Sequence, residues 1–277
     1  MPELPEVETI KNQLLEKIQR KKIERVEIRL PRMIKNVSAK KFQKKVEGTI
    51  IKDIRRRAKL LIIELSNGYS LVIHLKLTGQ LIYLEKLEQS RLKTFTHLIY
   101  YFNNGSVLLH NDLRQFGYVK LIPTKDLEKL FEKEKFGPEP LGKEFTLERF
   151  KEILSKKPRQ KVKPLLMDQT FLAGVGNVYA QEACWCAKIL PTRVVKNLSE
   201  QEINNLYRCL FDILREAIKD KGSSVDTYVD VHGRQGNYVS KLKVYGREGE
   251  NCLRCGAKIR KITLAGRGTC YCPHCQK

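Results

Sequence analysis

The chain has 277 residues, with 53 Lys and Arg against 31 Asp and Glu, a formal net charge of +22 and a sequence pI near 9.7. A hydrophobic fraction of 42% excludes global disorder, and no apolar run approaches the roughly 18 residues of a membrane span. The start, Met1-Pro2-Glu3-Leu4-Pro5-Glu6, has neither a basic nor an apolar leader region, so no signal peptide is expected.

The predicted compartment is therefore the cytosol. Disulfides are rare there, and paired cysteines read as metal ligands. A charge of this size attracts a polyanion, with nucleic acid the leading partner. The bland alternative is a solubilising lysine-rich surface. No segment sets lysine on one face and Trp or Phe on the other, so a membrane surface is not expected.

In chain order, Val7, Ile10, Leu14 and Ile18 recur at helical spacing and predict an opening helix over residues 5–20. Val26–Leu30 alternates. Two hairpins follow, with Leu60–Leu65 and Tyr69–Leu77 flanking Asn67-Gly68, and His97–Phe102 and Ser106–His110 flanking Asn103-Asn104-Gly105. Short strands with regular turns predict an antiparallel β-sandwich or barrel. The breaker run Phe136–Gly142 is read as a linker. Helical patterns follow around Phe150–Leu154, Leu165–Leu166 and Val178–Ala187. A long helix carries Leu206, Leu210, Ile213, Leu214 and Ala217, opened by a Ser199/Glu202 capping box. Residues 222–238, rich in Gly, Ser, Asp and Asn, predict a mobile loop.

Cys252-x2-Cys255 and Cys272-x2-Cys275 are separated by sixteen residues. Each pair presents two thiolates to one ion, and four thiolates leave no open position, so one structural Zn2+ is expected. Iron in a rubredoxin-like site is the rival, which a colourless protein would exclude. Between the pairs, Lys258–Leu264 and Thr269–Tyr271 predict a β-hairpin with Arg267 at its tip between glycines, a guanidinium offered to a phosphate or else a solvated turn residue. Cys270 is left out of the ligand set. Cys184, Cys186 and Cys209 fall on predicted helices and read as buried thiols.

Methionine before a small residue is commonly removed, which would make Pro2 a secondary amine. An α-amine titrates near 8, so a useful neutral fraction can attack a sugar carbon. Glu3 and Glu6 stand three apart beside it. From these residues alone the plainer reading is ordinary helix chemistry: proline in the first turn, and acids at the positive end of the dipole.

MPELPEVETI at the start, GVGNVYAQE at 174–182 and AGRGTCYCPHCQ at the end together resemble bacterial formamidopyrimidine-DNA glycosylase. RRAK at 56–59, HLKLTG at 74–79, DLRQFG at 112–117 and GPEPLG at 137–142 agree in order, so the resemblance spans essentially the whole chain. The related endonuclease VIII group usually has glycine where this chain has Leu4, which favours the purine-repair branch.

The resemblance implies an α+β multidomain fold. Its parts would be an N-terminal β-sandwich over 1–135, a linker over 136–142, a helix-two-turn-helix domain with a lesion loop over 143–242, and a zinc finger over 243–277. The active site would lie in the cleft between the first two domains. It implies an enzyme that flips 8-oxoguanine or a formamidopyrimidine out of duplex DNA, excises it and cuts the strand by β,δ-elimination.

By position, Pro2 would be the nucleophile, Glu3 the proton donor and Glu6 its support. Lys59 would serve β-elimination, and Arg267 would hold phosphate and assist δ-elimination. Leu77, Arg114 and Phe116 would fill the gap left by flipping, with Arg114 facing the orphan cytosine. Asn177, at a helix N-terminus, would bind phosphate. Arg159 and Lys163 match further DNA-binding positions, Lys163 near the damaged base. Residues 222–238 match the loop that closes over the lesion.

Three positions depart from the pattern. Leu77 stands where methionine is usual, Phe95 where relatives often have histidine, and Cys270 replaces a more usual aromatic or histidine. The expected partner is double-stranded DNA carrying an oxidised base or abasic site. The protein is expected to act as a monomer on nucleoid DNA in a bacterial cytoplasm, without membrane contact. The alternatives are an endonuclease VIII-type glycosylase of oxidised pyrimidines and a non-catalytic zinc-ribbon nucleic-acid binder.

Overall fold

A computed structural model describes residues 1–277. The chain forms two compact units, one of Met1–Lys133 with Asp220–Asn237 and one of Glu134–Lys219 with Tyr238–Lys277.

The first unit opens with helix α1 (Leu4–Ile18), preceded by Glu3 as N-cap and carrying Pro5 in its first turn. Eight strands follow: β1 (Ile23–Ile28), β2 (Ile51–Arg57), β3 (Leu60–Leu65), β4 (Tyr69–His74), β5 (Gly79–Leu84), β6 (Thr96–Phe102), β7 (Val107–Asp112) and β8 (Tyr118–Pro123). They build two four-stranded antiparallel sheets, ordered β1-β6-β7-β5 and β2-β3-β4-β8. Leu61, Ile63 and Ile73 of one sheet and Leu98, Tyr100 and Leu108 of the other share one core with Val7, Ile10, Leu14 and Ile18 of α1. That is the sandwich the alternating pattern predicted.

Both hairpin turns fall where the sequence put them. Gly68 and Gly105 sit at φ +80° and +81°, a region glycine enters without steric cost. The helices α2 (Ala39–Val46) and α3 (Leu127–Glu134) complete this region of the chain.

Residues 220–237 are anchored on the sandwich, in contrast to the predicted mobile loop. Tyr228 and Val231 are buried in its core. The Val231 carbonyl accepts the Tyr83 N–H at 2.7 Å, Gln13 donates to Asp230 at 3.0 Å, and Gln80 donates to the Thr227 carbonyl at 2.6 Å. Ser223 bridges Asn237 and closes the segment at its base. A polar composition hid these anchors because only two apolar side chains reach that core and much of the rest is main-chain hydrogen bonding, which composition does not report.

The second unit contains α4 (Leu147–Ser155), α5 (Val162–Met167), α6 (Asn177–Cys186) and α7 (Glu200–Lys219), then the ribbon β9 (Arg260–Leu264) and β10 (Arg267–Tyr271). The Ser199/Glu202 capping box opens α7: the Ser199 N–H donates to Glu202 at 2.7 Å, and the Glu202 N–H to Ser199 at 3.3 Å. Cys184 is a free buried thiol, as expected. Cys186 and Cys209 are not free: they join α6 to α7 in a disulfide. Two cysteines on separate helices carry no spacing signal, so the sequence could not pair them.

Candidate active site

In the first unit, Pro2, Glu3 and Glu6 are all buried. Glu6 holds the N-terminal segment in place. One of its carboxylate oxygens accepts the Glu3 N–H at 2.8 Å, and the other accepts the Ser223 N–H at 2.8 Å. The preceding Gly222 sits at φ +84°, and a Cβ there would lie 2.8 Å from Glu6 Cγ. Glycine is required at this position both for its backbone angle and for the close approach of the carboxylate. The Met1 amine lies 3.3 Å from the Asp226 carboxylate, so the segment after α7 also receives the chain's start.

Lys59 is buried in the two-residue turn between β2 and β3, after Ala58 at φ +53°. Arg56 braces this turn by donating to the Ala58 carbonyl at 2.9 Å and to Glu8 of α1 at 2.7 Å. Burial works against ionisation of Glu8, but hydrogen bonds from Lys11 and Arg56 outweigh it and hold its pKa below the ordinary carboxylate value. His74, at the end of β4, is pushed down to about 3 by burial and by the charges of Lys76, Lys59 and Lys120. It is a neutral ring among lysines.

Leu77, Arg114 and Phe116 come from two loops tied by one carboxylate. The fully buried Asp112 accepts the Thr78 hydroxyl at 2.5 Å and the Gly117 N–H at 2.6 Å, while Thr78 accepts the Arg114 N–H at 2.9 Å. The loop 113–117 is thereby stapled at both ends, with Gln115 at φ +58°. Phe116 is 53% exposed and Leu113 58%, large apolar side chains standing in solvent. The Arg114 guanidinium lies 4.9 Å from the Phe116 ring centre. Leu77 is half-buried in the turn that closes on Gly79, and Phe95 contributes a carbonyl that accepts the Asp112 N–H at 2.9 Å.

In the second unit, Gly176 caps α6 and Asn177 is its first residue, as the motif predicted. Lys163, the position matched to a lysine near the damaged base, lies in α5. It has no exposed surface, and its ammonium donates to Asn177 Oδ1 at 2.6 Å and to Thr269 Oγ1 at 3.1 Å. It acts as an internal tie between α6 and β10. Arg159 is exposed in the turn before α5. Arg267 is exposed, but as the first residue of β10. The hairpin tip is Ala265-Gly266, with φ of +48° and +70° at the two turn residues.

The Sγ atoms of Cys252, Cys255, Cys272 and Cys275 all lie within 4.8 Å of one another. Tetrahedral thiolates about 2.3 Å from zinc stand roughly 3.8 Å apart, so the cluster fits one ion. Cys270 is outside it, as expected. The Arg254 N–H points at Cys252 Sγ at 3.5 Å and the Cys275 N–H at Cys272 Sγ at 3.3 Å, one such contact in each C-x2-C turn.

Sequence reasoning missed the groups that dock this module on α6. Glu182, buried, accepts three consecutive N–H groups of Lys243, Val244 and Tyr245 at 2.8, 3.0 and 2.9 Å. Its burial outweighs these bonds and holds its pKa above the ordinary value. Gln181 contacts β10, and Trp185 packs on the cysteine cluster under Arg254, 4.0 Å away. The signal was present in the GVGNVYAQE run, whose last residues are polar on a helix buried almost all round.

Three family models match in order: the formamidopyrimidine-DNA glycosylase N-terminal domain over 1–119, the H2TH domain of the same enzyme over 136–229, and a zinc finger found in FPG and IleRS over 249–277. The formamidopyrimidine-DNA glycosylase of Pelotomaculum thermopropionicum is 43% identical across 100% of this chain and 99% of that protein.

The chain belongs to the formamidopyrimidine-DNA glycosylase family.

The family member of Carboxydothermus hydrogenoformans is 44% identical over 100% of both chains. Among solved structures, the Lactococcus lactis Fpg bound to abasic-site-containing DNA aligns with a TM-score of 0.92 at 39% identity, covering 99% of each chain. A variant of the same enzyme with a Fapy-dG-containing DNA aligns at 0.93 over 100% of each.

Proposed function

We propose that this family member is a base-excision repair enzyme that removes oxidised purines, 8-oxoguanine and formamidopyrimidines, from duplex DNA and cuts the strand by β,δ-elimination. The observation that carries the reading is full-length similarity, near 40% identity, to enzymes named for this activity, joined to a buried Pro2-Glu3 start locked by Glu6. Relatives bound to abasic and Fapy-dG DNA support the same substrate class.

With Met1 removed, the Pro2 amine attacks C1′ of the flipped nucleotide, and the base leaves with a proton from Glu3. Glu3 takes up the proton that the attacking amine sheds and passes it to O4′ as the C1′–O4′ bond breaks, which opens the sugar and leaves the Pro2 nitrogen as an iminium. That iminium acidifies the C2′ proton, and loss of the 3′-phosphate follows by β-elimination, with Lys59 at the phosphate. A second elimination releases the 5′-phosphate held by Arg267 and Asn177. Arg114 and Phe116 occupy the emptied stack, which suits an exposed aromatic beside a guanidinium. Cys252, Cys255, Cys272 and Cys275 would hold one structural zinc, which would fix the base of the ribbon that carries Arg267. The functional division runs over 1–135, a linker at 136–142, 143–242 and 243–277. The enzyme works as a monomer on nucleoid DNA in a bacterial cytoplasm, and no helix is long and apolar enough to cross a membrane.

Borohydride reduction during reaction with 8-oxoguanine duplex is expected to trap a covalent adduct on the N-terminal peptide of protein verified by mass to begin at Pro2. A verified Pro2 terminus that gives no adduct removes the nucleophile assignment. Excision of thymine glycol in preference to 8-oxoguanine would move the chain to the pyrimidine-repair reading.

A further inference from the structure

Gln181 lies one helical turn beyond Asn177 on α6 and is 1% exposed. Its side-chain amide is used at both ends. Oε1 accepts the Cys270 N–H at 2.6 Å, while Nε2 donates to the Gly268 carbonyl at 3.2 Å and to the Asn177 carbonyl at 2.9 Å. In an antiparallel ribbon, a carbonyl at residue i and an N–H at i+2 emerge on the same edge. One edge of β10 pairs with β9. The groups of Gly268 and Cys270 lie on the other edge, where a further strand would pair. Gln181 completes that edge with one peptide's worth of hydrogen bonding, and the Asn177 side chain adds a second donor to the Gly268 carbonyl at 3.3 Å.

Arg267 is the neighbour of Gly268. The zinc ligand nearest to it in β10's direction, Cys272, is five residues away, roughly 16 Å along an extended strand. The metal therefore fixes the base of the hairpin, whereas Gln181 grips its main chain one to three residues from Arg267. Lys163 also reaches β10, but through the Thr269 hydroxyl rather than the backbone.

We propose that Gln181 is a positioning residue: it sets the Arg267 guanidinium at a fixed distance from Asn177, so that both meet the phosphate in the second elimination. This rests on the reading above that Arg267 and Asn177 hold phosphate. A displacement of about 1 Å at a catalytic group costs on the order of a hundredfold in rate. A hairpin released at Gly268 and Cys270 has that freedom at its tip while keeping its metal.

The test uses full-length, zinc-loaded protein beginning at Pro2, acting on duplex DNA with one abasic site. Its readout is the ratio of β- to β,δ-products, with kcat and KM for each step. Gln181→Met removes both ends of the amide. Gln181→Glu keeps the acceptor for Cys270 and loses the donor to Gly268.

Both variants are expected to retain one zinc per chain and β-elimination within about twofold, with δ-product formation reduced about tenfold or more. The double variant Gln181→Met/Arg267→Ala should match Arg267→Ala alone, since a residue acting through another is non-additive with it. An unchanged product ratio, additive losses in the double variant, or loss of zinc in both Gln181 variants overturns the assignment. Normal δ-product from Arg267→Ala with Gln181 intact overturns the underlying phosphate reading as well, and that arm tells the two failures apart.

Discussion

His110 shows how a single residue can set a property of the protein. It stands in β7 between Leu98 and Leu81 and is fully buried, and neither ring nitrogen has a hydrogen-bond partner. Burial drives its pKa down to about 4; the Asp112 charge opposes the shift and His97 adds to it. In the unfolded chain the ring takes its proton near 6.5, and in the folded protein only near 4. The unfolded state thus binds more protons between these limits, so stability is full above pH 6.5 and falls as pH drops toward 4. The loss amounts to about 3 kcal/mol. His110→Leu is expected to remove the His110 share of this acid sensitivity and to leave that of the buried His74. It should also raise the melting temperature at pH 7, because two unsatisfied buried nitrogens cost about 1–3 kcal/mol. Melting curves at pH 7 and pH 5 check both; an unaltered pH 5 deficit would clear His110 of the effect.

Residues of this kind mark the limit of what the sequence tells. The four zinc ligands were legible because their chemistry is written in a few adjacent letters, and the letters around Asn177 announced the start of α6. Lys163, Gln181 and Ser223 were not, because their roles depend on partners 106, 89 and 217 positions away.

Among elements, legibility followed local chemistry too. The hairpins around Gly68 and Gly105 announced themselves through turn residues. Strand β2 did not: its buried residues recur three apart, and a register shift near Ile51 breaks the alternation a reader looks for. The pairing of α6 with α7 was likewise silent. The Cys186–Cys209 bridge closes a loop with a separation of 23 residues. A crosslink of that span stabilises by roughly 3 kcal/mol in the chain-entropy account, a melting shift on the order of 10 °C. Reductant, or Cys209→Ser, is accordingly expected to lower the melting temperature of the helical unit. Alkylation of the denatured, metal-free, unreduced protein should label six of the eight cysteines. Labelling of all eight would show the pair to be reduced.

At the scale of the molecule, charge and the spread of matching segments gave the class of partner and the order of parts. The division into compact units was less legible, because residues 220–237 follow α7 in sequence yet bury Tyr228 and Val231 in the sandwich. The zinc module makes the opposite choice and packs with α6. Chelation of zinc is therefore expected to abolish δ-elimination and weaken binding to abasic duplex, while the sandwich keeps its β-type circular dichroism. Zinc-free protein, verified by metal analysis, that cuts at the full rate would rule out that role for the metal.

The hydrogen bond between Glu6 and Ser223 has one more consequence, for how such a protein can change over generations. The carboxylate comes from the first helix and its partner from beyond the last one, so no single crossover between relatives can exchange the sandwich whole. Recombination that replaced only the front of the gene would mate one lineage's glutamate to another's loop, and a side chain in place of Gly222 would then strike it. Inheritance of the two segments is linked by stereochemistry, although helices α4 to α7 all lie between them.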